Sequence, residues 1–227
     1  MPNPIIKLDN VWKTYKMGEV EVNALRGMNF EVKQGEFVAI MGPSGSGKST
    51  AVNMIGCLDV PTKGYIYLED KDISKLHESD LAQIRGKIIG FIFQQFNLIP
   101  TLTAKENIML PMVFQGIPAS ERSERAEKLL NLVELQERKN HKPSELSGGQ
   151  QQRVAIARAL ANSPDVILAD EPTGNLDSKT GQIVMDFLKE LNRKEGKTII
   201  MVTHDPKIAK CADRIAMLKD GVIIKGG

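Results

Sequence analysis

Residues 42–50 read Gly-Pro-Ser-Gly-Ser-Gly-Lys-Ser-Thr, which fits the pattern G-x-x-x-x-G-K-[ST]. The apolar run Phe37–Met41 precedes them as a buried parallel strand would, and residues 49–57 can form a helix after them. A strand, a glycine-rich loop and a helix start are the context in which this pattern binds phosphate. The alternative, a glycine-rich turn with a chance lysine, is the weaker interpretation because every fixed position is filled. Residues 42–50 are therefore named the phosphate loop.

The residue types of the phosphate loop suit a ligand that carries several phosphates. Its glycines allow a tight turn and a close approach of the backbone to the ligand. N–H groups at the start of the following helix have no acceptor within the helix and point at the anion. Lys48 adds a point charge at the β- and γ-phosphates, and the hydroxyl of Ser49 can take a place on Mg²⁺.

Composition and charge limit the classes of protein that the chain can belong to. Its 227 residues, of which 41% are apolar, suffice for one large domain or two small ones with a real core. The net charge is only +2, whereas a broad nucleic-acid surface needs clustered excess base, so no nucleic-acid partner is expected. Cys57 and Cys211 form no metal-binding spacing with each other or with the histidines, and both are expected to be small buried hydrophobes.

Signals for export or membrane insertion are missing from the sequence pattern. No secretory signal is visible at the N-terminus, and no apolar run approaches the length that spans a bilayer. The longest runs, near residues 88–93 and 198–202, have the size of strands. We therefore expect a protein that is soluble by itself and that another chain must hold at a membrane if it works there.

The hydrophobic pattern predicts one α/β domain that begins with a β-rich part. Short strands are expected at residues 5–11, 20–24 and 28–32, and these are predicted to form an antiparallel region beside a parallel core. Buried strands are expected at residues 88–93, 166–169 and 198–203, and Asp220-Gly221 indicates a hairpin. Helices are expected at residues 79–85, with a break at Gly86, and at residues 179–194. The inward residues of the second helix are predicted to be Ile183, Phe187, Leu188 and Leu191.

A helical insertion, roughly residues 96–160, is predicted between the two halves of the α/β core. Thr103 and Glu106 have the spacing of a capping box, and the region up to residue 135 is helical in pattern. Pro111 and later breakers are expected to divide it into pieces. A further helix is predicted from residue 147 to about residue 161.

Polar residues follow several of the predicted strands at the point where each strand ends. Gln94 follows one strand, Asp170 and Glu171 follow another, and His204 follows a third. In open parallel sheets ligands bind at this edge, so these residues are expected to surround the phosphate loop. Asp170 is a usual type of Mg²⁺ ligand there, and Glu171 can polarise a water molecule. The alternatives are capping or solvated acids, a structural histidine and a polar turn residue.

Residues 146–150, Leu-Ser-Gly-Gly-Gln, form a second informative loop. A serine and two glycines precede a helix, which makes another helix start suited to an anion, but no lysine is present. The alternative is an ordinary Ser N-cap. Gly148 and Gly149 weaken the first turn unless something approaches closely, which suggests a ligand. Among the scarce aromatic residues, Tyr15 and Trp12 can stack on a base, although packing is an equal alternative for Trp12.

Taken together, these motifs resemble those of the ATP-binding-cassette (ABC) ATPases. The similarity covers nearly the whole chain, in family order, and residues 146–150 are its most specific part because many NTPases share the phosphate loop alone. Residues 93–107 make the similarity closest to the lipoprotein-release and macrolide-export subfamily. Gly174-Asn175-Leu176-Asp177 replaces a commoner serine-alanine start, and no catalytic position departs from the family pattern.

This resemblance implies a P-loop NTPase core at residues 1–95 and 161–227, with residues 96–160 as the helical signature subdomain. It implies ATP and Mg²⁺ as ligands, with Lys48, Gln94, Glu171 and His204 catalytic and Ser49, Gln94 and Asp170 at the metal. Tyr15 is expected to stack on adenine, Glu171 to act as general base and Asp177 to communicate across a dimer. The expected nucleotide-binding residues are Tyr15, Gly42, Ser44, Gly45, Ser46, Gly47, Lys48, Ser49, Thr50, Gln94, Ser147, Gly149, Gln150, Asp177 and His204.

The resemblance also implies partners and a location. Two copies are expected to pair head to tail around two ATP molecules, so that Ser147 and Gly149 of one copy meet the ATP on the other. The helical insertion is expected to dock on a membrane permease at the cytoplasmic face of the cell membrane. The alternatives are a soluble cassette ATPase that acts on DNA or ribosomes, and a regulatory nucleotide-binding module without turnover. Near-neutral charge and the lack of a long coiled-coil insertion disfavour the first, and Glu171 with His204 disfavours the second.

Overall fold

The computed structural model describes residues 4–225, and these form two sheets and seven α-helices. The strands, in chain order, are β1 Ile6–Met17, β2 Val20–Val32, β3 Phe37–Met41, β4 Lys63–Leu68, β5 Lys71–Asp72, β6 Ile89–Ile92, β7 Val166–Asp170, β8 Thr198–Thr203, β9 Arg214–Lys219 and β10 Val222–Lys225. The helices are α1 Lys48–Ile55, α2 Glu78–Ile88, α3 Ala104–Phe114, α4 Ala119–Leu132, α5 Gly148–Leu160, α6 Ser178–Glu195 and α7 Pro206–Ala209.

The larger sheet is mostly parallel and has the strand order β10-β9-β3-β8-β7-β6. Only β10 runs antiparallel to its neighbour, through the predicted Asp220-Gly221 hairpin. Strand β8 lies between β3 and β7, so Met41 faces Thr203 and Asp170 faces Val202 across the ladders. The carboxyl ends of β3, β8, β7 and β6 therefore lie side by side at one edge. The predicted fold class, an α/β P-loop fold with a mostly parallel sheet, is confirmed.

The smaller sheet is antiparallel, has the order β2-β1-β4-β5 and covers one face of the larger sheet. Leu25 and Met28 of β2 share a hydrophobic cluster with Val38 and Ile40 of β3, whereas alternate β3 residues pack on the other face with α6. The prediction of two separate strands at residues 20–24 and 28–32 was wrong. One strand continues through Gly27, because Gly27 takes φ +76° and register shifts in the β1–β2 ladder absorb the irregularity.

Helices α3, α4 and α5 pack around a hydrophobic cluster of their own. Thr103 and Glu106 form the predicted capping box at the start of α3. The prediction that Pro111 divides this region was wrong, because α3 continues through Pro111 to Phe114. Buried contacts on both sides of the proline, from Ile108 and Met112, hold the helix where the backbone hydrogen bond of Pro111 is lost.

Three local predictions on the remaining helices need correction or completion. Helix α2 does not break at Gly86 but runs to Ile88. The carbonyl oxygen of Gly86 accepts a hydrogen bond from Nδ2 of Asn162 at 2.8 Å, which supports the helix at the glycine. In α6, Leu188 and Leu191 are buried as predicted, but Ile183 is 51% exposed.

Cys57 is buried, which raises the pKa of its thiol to about 12, and Cys211 is half-buried. None of the helices within residues 4–225 is long and apolar enough to cross a membrane.

Candidate active site

The phosphate loop leaves β3 and turns tightly against the rest of the chain. A Cβ at Gly42 would lie 2.2 Å from the carbonyl oxygen of Leu218, and one at Gly47 would lie 2.6 Å from that of Ala24. Gly47 also has φ +101°, a left-handed conformation that favours glycine. Gly45 has φ +76°, and among residues 4–225 no heavy atom lies within 4 Å of a Cβ placed there. The loop is therefore packed against other segments at Gly42 and Gly47 and open at Gly45.

Several polar groups of the phosphate loop are arranged to receive a ligand. Nζ of Lys48 donates hydrogen bonds to the carbonyl oxygens of Gly42 at 2.7 Å and Pro43 at 2.8 Å, so the ammonium lies across the loop. No side chain caps the start of α1, which leaves its first backbone N–H groups available to an anion. The hydroxyl of Ser46 is buried and has no hydrogen-bond acceptor or donor among the described residues. Buried hydroxyls are rarely left in that state, so a ligand fits this loop.

Glu171 and His204 meet at the ends of β7 and β8. Oε1 of Glu171 accepts hydrogen bonds from the backbone N–H of His204 at 2.9 Å and from its Nδ1 at 2.7 Å, and Oε2 accepts one from the Thr203 hydroxyl at 3.1 Å. The Glu171 side chain is 15% exposed and that of His204 is 72% exposed. Thr203 was not predicted as a site residue. The sequence signal that could have found Thr203 is its position as the last residue of a buried strand, directly before His204.

Glu171 has an unusual backbone conformation for a non-glycine residue. Its φ of +46° lies in the left-handed region, which costs about 1–3 kcal/mol when surrounding contacts enforce it. Its N–H donates to the carbonyl of Val202 at 2.9 Å, and its carbonyl accepts from the N–H of Gly174 at 3.0 Å. The turn directs the Glu171 side chain toward β8 instead of letting it continue along β7.

Asp170, the last residue of β7, is the other carboxylate of this strand end. Burial raises the pKa of the Asp170 carboxyl above its ordinary value, and the negative charge of Glu171 raises this pKa further. The ammonium of Lys48 lowers it again, which shows that the carboxylate and the phosphate loop are electrostatically coupled. The structure thus brings Lys48, Asp170 and Glu171 together, as the sequence predicted.

Gln94 lies beside the loop that follows Glu171. Its backbone carbonyl accepts a hydrogen bond from Nδ2 of Asn175 at 2.8 Å, and a Cβ at Gly174 would lie 2.8 Å from its Nε2. The Gln94 side chain is exposed, and Gln94 follows the end of β6 at Ile92 with only Phe93 between them. The amide therefore lies at the same sheet edge as Glu171 and packs against Gly174.

Residues 146–150 form a separate, self-capped helix start. Ser147 accepts a hydrogen bond from the backbone N–H of Gln150, and the Gln150 side chain accepts one from the N–H of Ser147. The close approach predicted at Gly149 is present, but the approaching group belongs to this chain, because a Cβ there would lie 2.3 Å from Cγ2 of Thr180. That contact explains the glycine without a ligand.

Asp177 caps the start of α6 beside this loop. Its carboxylate accepts hydrogen bonds from the N–H groups of Lys179 and Thr180, each at 3.0 Å, and from the Thr180 hydroxyl at 2.6 Å. These bonds hold the pKa of the Asp177 carboxyl below its ordinary value. Among the described residues no hydrogen bond joins residues 146–150 or Asp177 to the phosphate loop. The start of α5 and the phosphate loop are therefore two distinct helix starts that no hydrogen bond joins in the described part of the chain.

Tyr15 is held in place by a residue that the sequence pattern did not single out. Its hydroxyl donates to Oδ2 of Asp59 at 3.2 Å, and the Lys13 ammonium bonds Oδ1 of Asp59 at 2.6 Å while it lies 5.1 Å from the ring centroid. Asp59 follows α1, so the ring is tied to the helix that the phosphate loop starts. Trp12 instead donates to Asn10 at 3.2 Å, which favours a packing role for that ring.

Comparison with known proteins places this geometry in a family. The sequence profile described as ABC transporter matches residues 25–174. The chain belongs to the ABC transporter family. It is 57% identical over 223 residues to an ABC transporter ATP-binding protein, MJ0796, of Methanocaldococcus jannaschii, a match that covers 96% of this chain and 95% of that protein.

A longer relative and a solved structure extend the comparison of this ABC cassette. It is 50% identical to the macrolide export ATP-binding/permease protein MacB of Brucella melitensis, over 97% of the chain and 34% of that protein. The solved structure described as a dimeric post-hydrolysis state of the ATP-binding cassette MJ0796 bound to ADP and Pi superposes with a TM-score of 0.90. It is 54% identical and the match covers 98% of this chain and 97% of that one. The predicted resemblance to ABC ATPases, with export proteins among the relatives, is confirmed.

The raised pKa of Asp170 makes a prediction about the stability of the cassette. Because the folded state binds the proton of this carboxyl more tightly than the unfolded state does, ionised Asp170 lowers the stability at neutral pH. We expect Asp170→Asn to raise the thermal unfolding midpoint of the nucleotide-free cassette at neutral pH. The gain should shrink as the pH falls through the raised pKa, since the wild-type carboxyl is then protonated. Thermal melts over this pH range measure it.

A matched variant separates this effect from the general loss of a negative charge. Asp186→Asn makes the same chemical change at an exposed position of α6. Its unfolding midpoint is expected to stay near that of the wild-type cassette at every pH in the series. A lower midpoint for Asp170→Asn, or a gain that does not depend on pH, would contradict the prediction.

Proposed function

We propose that this cassette hydrolyses ATP as the energy-supplying subunit of a membrane transporter, in which two copies close around two ATP molecules. The observation that carries the proposal is the contact between Glu171 and His204, at 2.7 Å, on the sheet edge that also bears the phosphate loop. A carboxylate next to a nucleotide site is suited to take a proton from water. Membership of the ABC transporter family and the solved MJ0796 dimer support the same function.

The residues of the phosphate loop are proposed to hold the triphosphate. The open part of the loop at Gly45 leaves space for the phosphates, and the uncapped N–H groups at the start of α1 donate to their oxygens. The buried hydroxyl of Ser46 gains an acceptor when a ligand is present. Lys48 exchanges its two carbonyl acceptors for phosphate oxygens, which bear full negative charge and are the stronger acceptors. The ring of Tyr15 stacks on the adenine base.

The oxygen donors at this edge fit Mg²⁺. The Ser49 hydroxyl, the Asp170 carboxylate and the Gln94 amide oxygen are hard ligands of the type that Mg²⁺ takes together with substrate phosphates. Burial and the charge of Glu171 raise the pKa of the half-buried Asp170 carboxyl, and Lys48 is the one cation that lowers it among the described residues, so a bound cation would stabilise the ionised carboxylate. When bound, Mg²⁺ would supply neutralisation of the phosphate charge.

Glu171 and His204 are proposed to do the proton chemistry. A carboxylate accepts hydrogen bonds only, so Nδ1 of His204 carries the proton in its contact with Glu171. This contact fixes the orientation of the His204 ring at the ends of β7 and β8, where it can face the terminal phosphate. Glu171 in turn takes a proton from the attacking water, and its three hydrogen bonds fix where its oxygens lie.

The surface formed by the start of α5 and Asp177 is proposed to complete the site of another copy. Ser147, Gly149, Gln150 and Asp177 form no hydrogen bond with the phosphate loop of their own chain among the described residues. A head-to-tail pair would bring this surface onto the ATP that the partner copy holds. The dimeric solved structures of MJ0796 support this arrangement. In this arrangement residues 96–160 act as a helical signature subdomain inserted into one ATPase domain.

A groove beside Gln94 is proposed as the contact for a membrane permease. It has a volume of about 540 Å³ and lies between α2, α3 and the end of α5. Its wall includes Phe114, which is 79% exposed, and Leu58, which is 38% exposed. Exposed apolar side chains of this kind mark interaction surfaces. The MacB relative is a macrolide export ATP-binding/permease protein, which supports a membrane partner and an export role. A location at the cytoplasmic face of the membrane, and lipoprotein extraction as the alternative role, are part of the same proposal.

Hydrolysis by the isolated cassette tests the proposal. If a pair of copies forms each active site, the phosphate-release rate per chain should rise with protein concentration at saturating ATP and Mg²⁺. EDTA should abolish it, because the carboxylate and amide ligands need the metal to engage the phosphates. Lys48→Ala should reduce the rate to background, whereas Lys210→Ala, at an exposed position, should not change it. Absent hydrolysis, or a rate per chain independent of concentration with a monomer in sedimentation, would overturn the proposal.

A further inference from the structure

Gln152 is a buried polar residue that the proposed chemistry does not use. It lies on α5, the helix that residues 146–150 start, and its side chain is fully buried. Its Nε2 donates a hydrogen bond of 2.6 Å to the carbonyl oxygen of Pro172, the residue directly after Glu171. Its Oε1 has no hydrogen-bond donor among the described residues. The amide is therefore only half satisfied.

The half-satisfied amide is informative about what Gln152 supplies. A buried carbonyl oxygen without a donor costs free energy, and an apolar side chain of similar length would avoid that cost. Ala155 and Ile156, which share the helix face of Gln152, are buried and apolar, so this face of α5 suits such a side chain. The amide is thus explained by its one hydrogen bond, the one to Pro172.

The Pro172 carbonyl lies next to a residue whose conformation depends on contacts with other elements. Glu171 has φ +46° and precedes a proline, two conditions that make its conformation depend on outside support. The bonds of Glu171 to Val202 and Gly174 fix its own peptide groups. Only the bond from Gln152, among those given for residues 171–173, reaches this turn from α5. It fixes the peptide plane between Pro172 and Thr173, the second peptide after the Cα of Glu171, and therefore the direction of the turn.

We propose that Gln152 is a positioning residue for the general base. Through Pro172 it holds the Glu171 carboxylate in its position against His204. Because Gln152 lies on α5, the same bond connects the position of Glu171 with the position of Ser147, which is proposed to contact the nucleotide of the partner copy. Loss of the bond lets the turn relax, so the base is misplaced while the phosphates are still bound. The inference rests on the proposed ATPase function.

The test compares variants that lose the bond with one that makes the same chemical change elsewhere. Gln152→Met removes the N–H donor at nearly constant size, and Gln152→Asn keeps an amide that is too short to reach Pro172. Gln136→Met is the control, since Gln136 also has a buried amide oxygen without a partner in the described part of the chain but lies after α4. Each variant is assayed for kcat and KM of phosphate release and for its thermal midpoint. The double variant with Glu171→Gln is assayed for ATP-dependent dimerisation.

The expected result is a split between catalysis and binding. Both Gln152 variants should lower kcat about 10-fold, with KM for ATP and the dimerisation of the double variant unchanged, because small misplacements of a catalytic group have effects of this size or larger. Gln136→Met should leave kcat unchanged. A wild-type kcat in either folded Gln152 variant, or equal losses in Gln136→Met, would overturn the inference. Absent hydrolysis by the wild-type cassette would instead overturn the proposed function, so the two failures are distinguishable. If Gln152→Met does not fold, Gln152→Asn decides.

Discussion

Replacing Glu171 with Gln should lower the rate of ATP hydrolysis by a factor of about 10²–10⁴, the usual contribution of a positioned general base. The amide keeps the size of the carboxylate and keeps one oxygen to accept from the N–H groups of His204. The Thr203 hydroxyl can turn to accept from the new NH₂ group where it formerly donated. The fold and the phosphate loop are thus preserved while the proton acceptor is lost.

The same variant should accumulate as a dimer in the presence of ATP. Because bound ATP is not consumed, the closed pair persists long enough to be resolved by size-exclusion chromatography. The control is Glu195→Gln, which makes the same change at the exposed end of α6 and should hydrolyse at the wild-type rate without a stable dimer. Normal turnover by Glu171→Gln, or a monomer at saturating ATP, would contradict the role given to Glu171.

Replacing Gly42 with Ala should both destabilise the cassette and abolish nucleotide binding. The new Cβ would lie 2.2 Å from the Leu218 carbonyl oxygen and 2.6 Å from the Ser46 hydroxyl. Both contacts are far shorter than a carbon and an oxygen tolerate, and the first is with backbone, so β3 and β9 must separate or the phosphate loop must shift. Overpacking of this kind costs about 1–3 kcal/mol and sometimes more. Urea unfolding and titration with a fluorescent ATP analogue measure the two effects.

A glycine with different surroundings gives the comparison. Gly196 ends α6 with φ +67°, and within residues 4–225 a Cβ there meets no heavy atom within 4 Å. Gly196→Ala should therefore cost about 1 kcal/mol, from the left-handed conformation alone, and leave ATP binding intact. If the two variants bind ATP equally well, the crowding at Gly42 does not set the shape of the phosphate loop.

Local signals were sufficient to predict the parts of the site that end strands. An apolar run followed by Asp170-Glu171 or by His204 is visible in the sequence alone, and the parallel sheet brings those ends together. Local signals were misleading at Gly86 and Pro111, because the sequence pattern does not show that Asn162 bonds the first or that buried neighbours support the second.

Contacts between distant segments could not be predicted from the sequence. The hydroxyl of Thr203 on Glu171, the Asn175 amide on the Gln94 carbonyl and the Gln152 amide on Pro172 each join residues from different elements. At Gly149 a close approach was predicted from the glycine itself, but the sequence does not identify Thr180 as the approaching side chain. The roles of the individual site residues stay predictions until the variants are measured.

The position of β8 has a consequence for how the protein is made. Thr198–Thr203 forms the strand that separates β3 from β7, and both of its neighbours are synthesised earlier. Until this strand has left the ribosome, the nascent chain has no means of setting the phosphate loop beside Glu171. Strand pairings between segments so far apart in sequence are also slow to form. The growing polypeptide should therefore become able to hydrolyse ATP only after residues 198–203 have been made, and a chain released before residue 198 should not hydrolyse it.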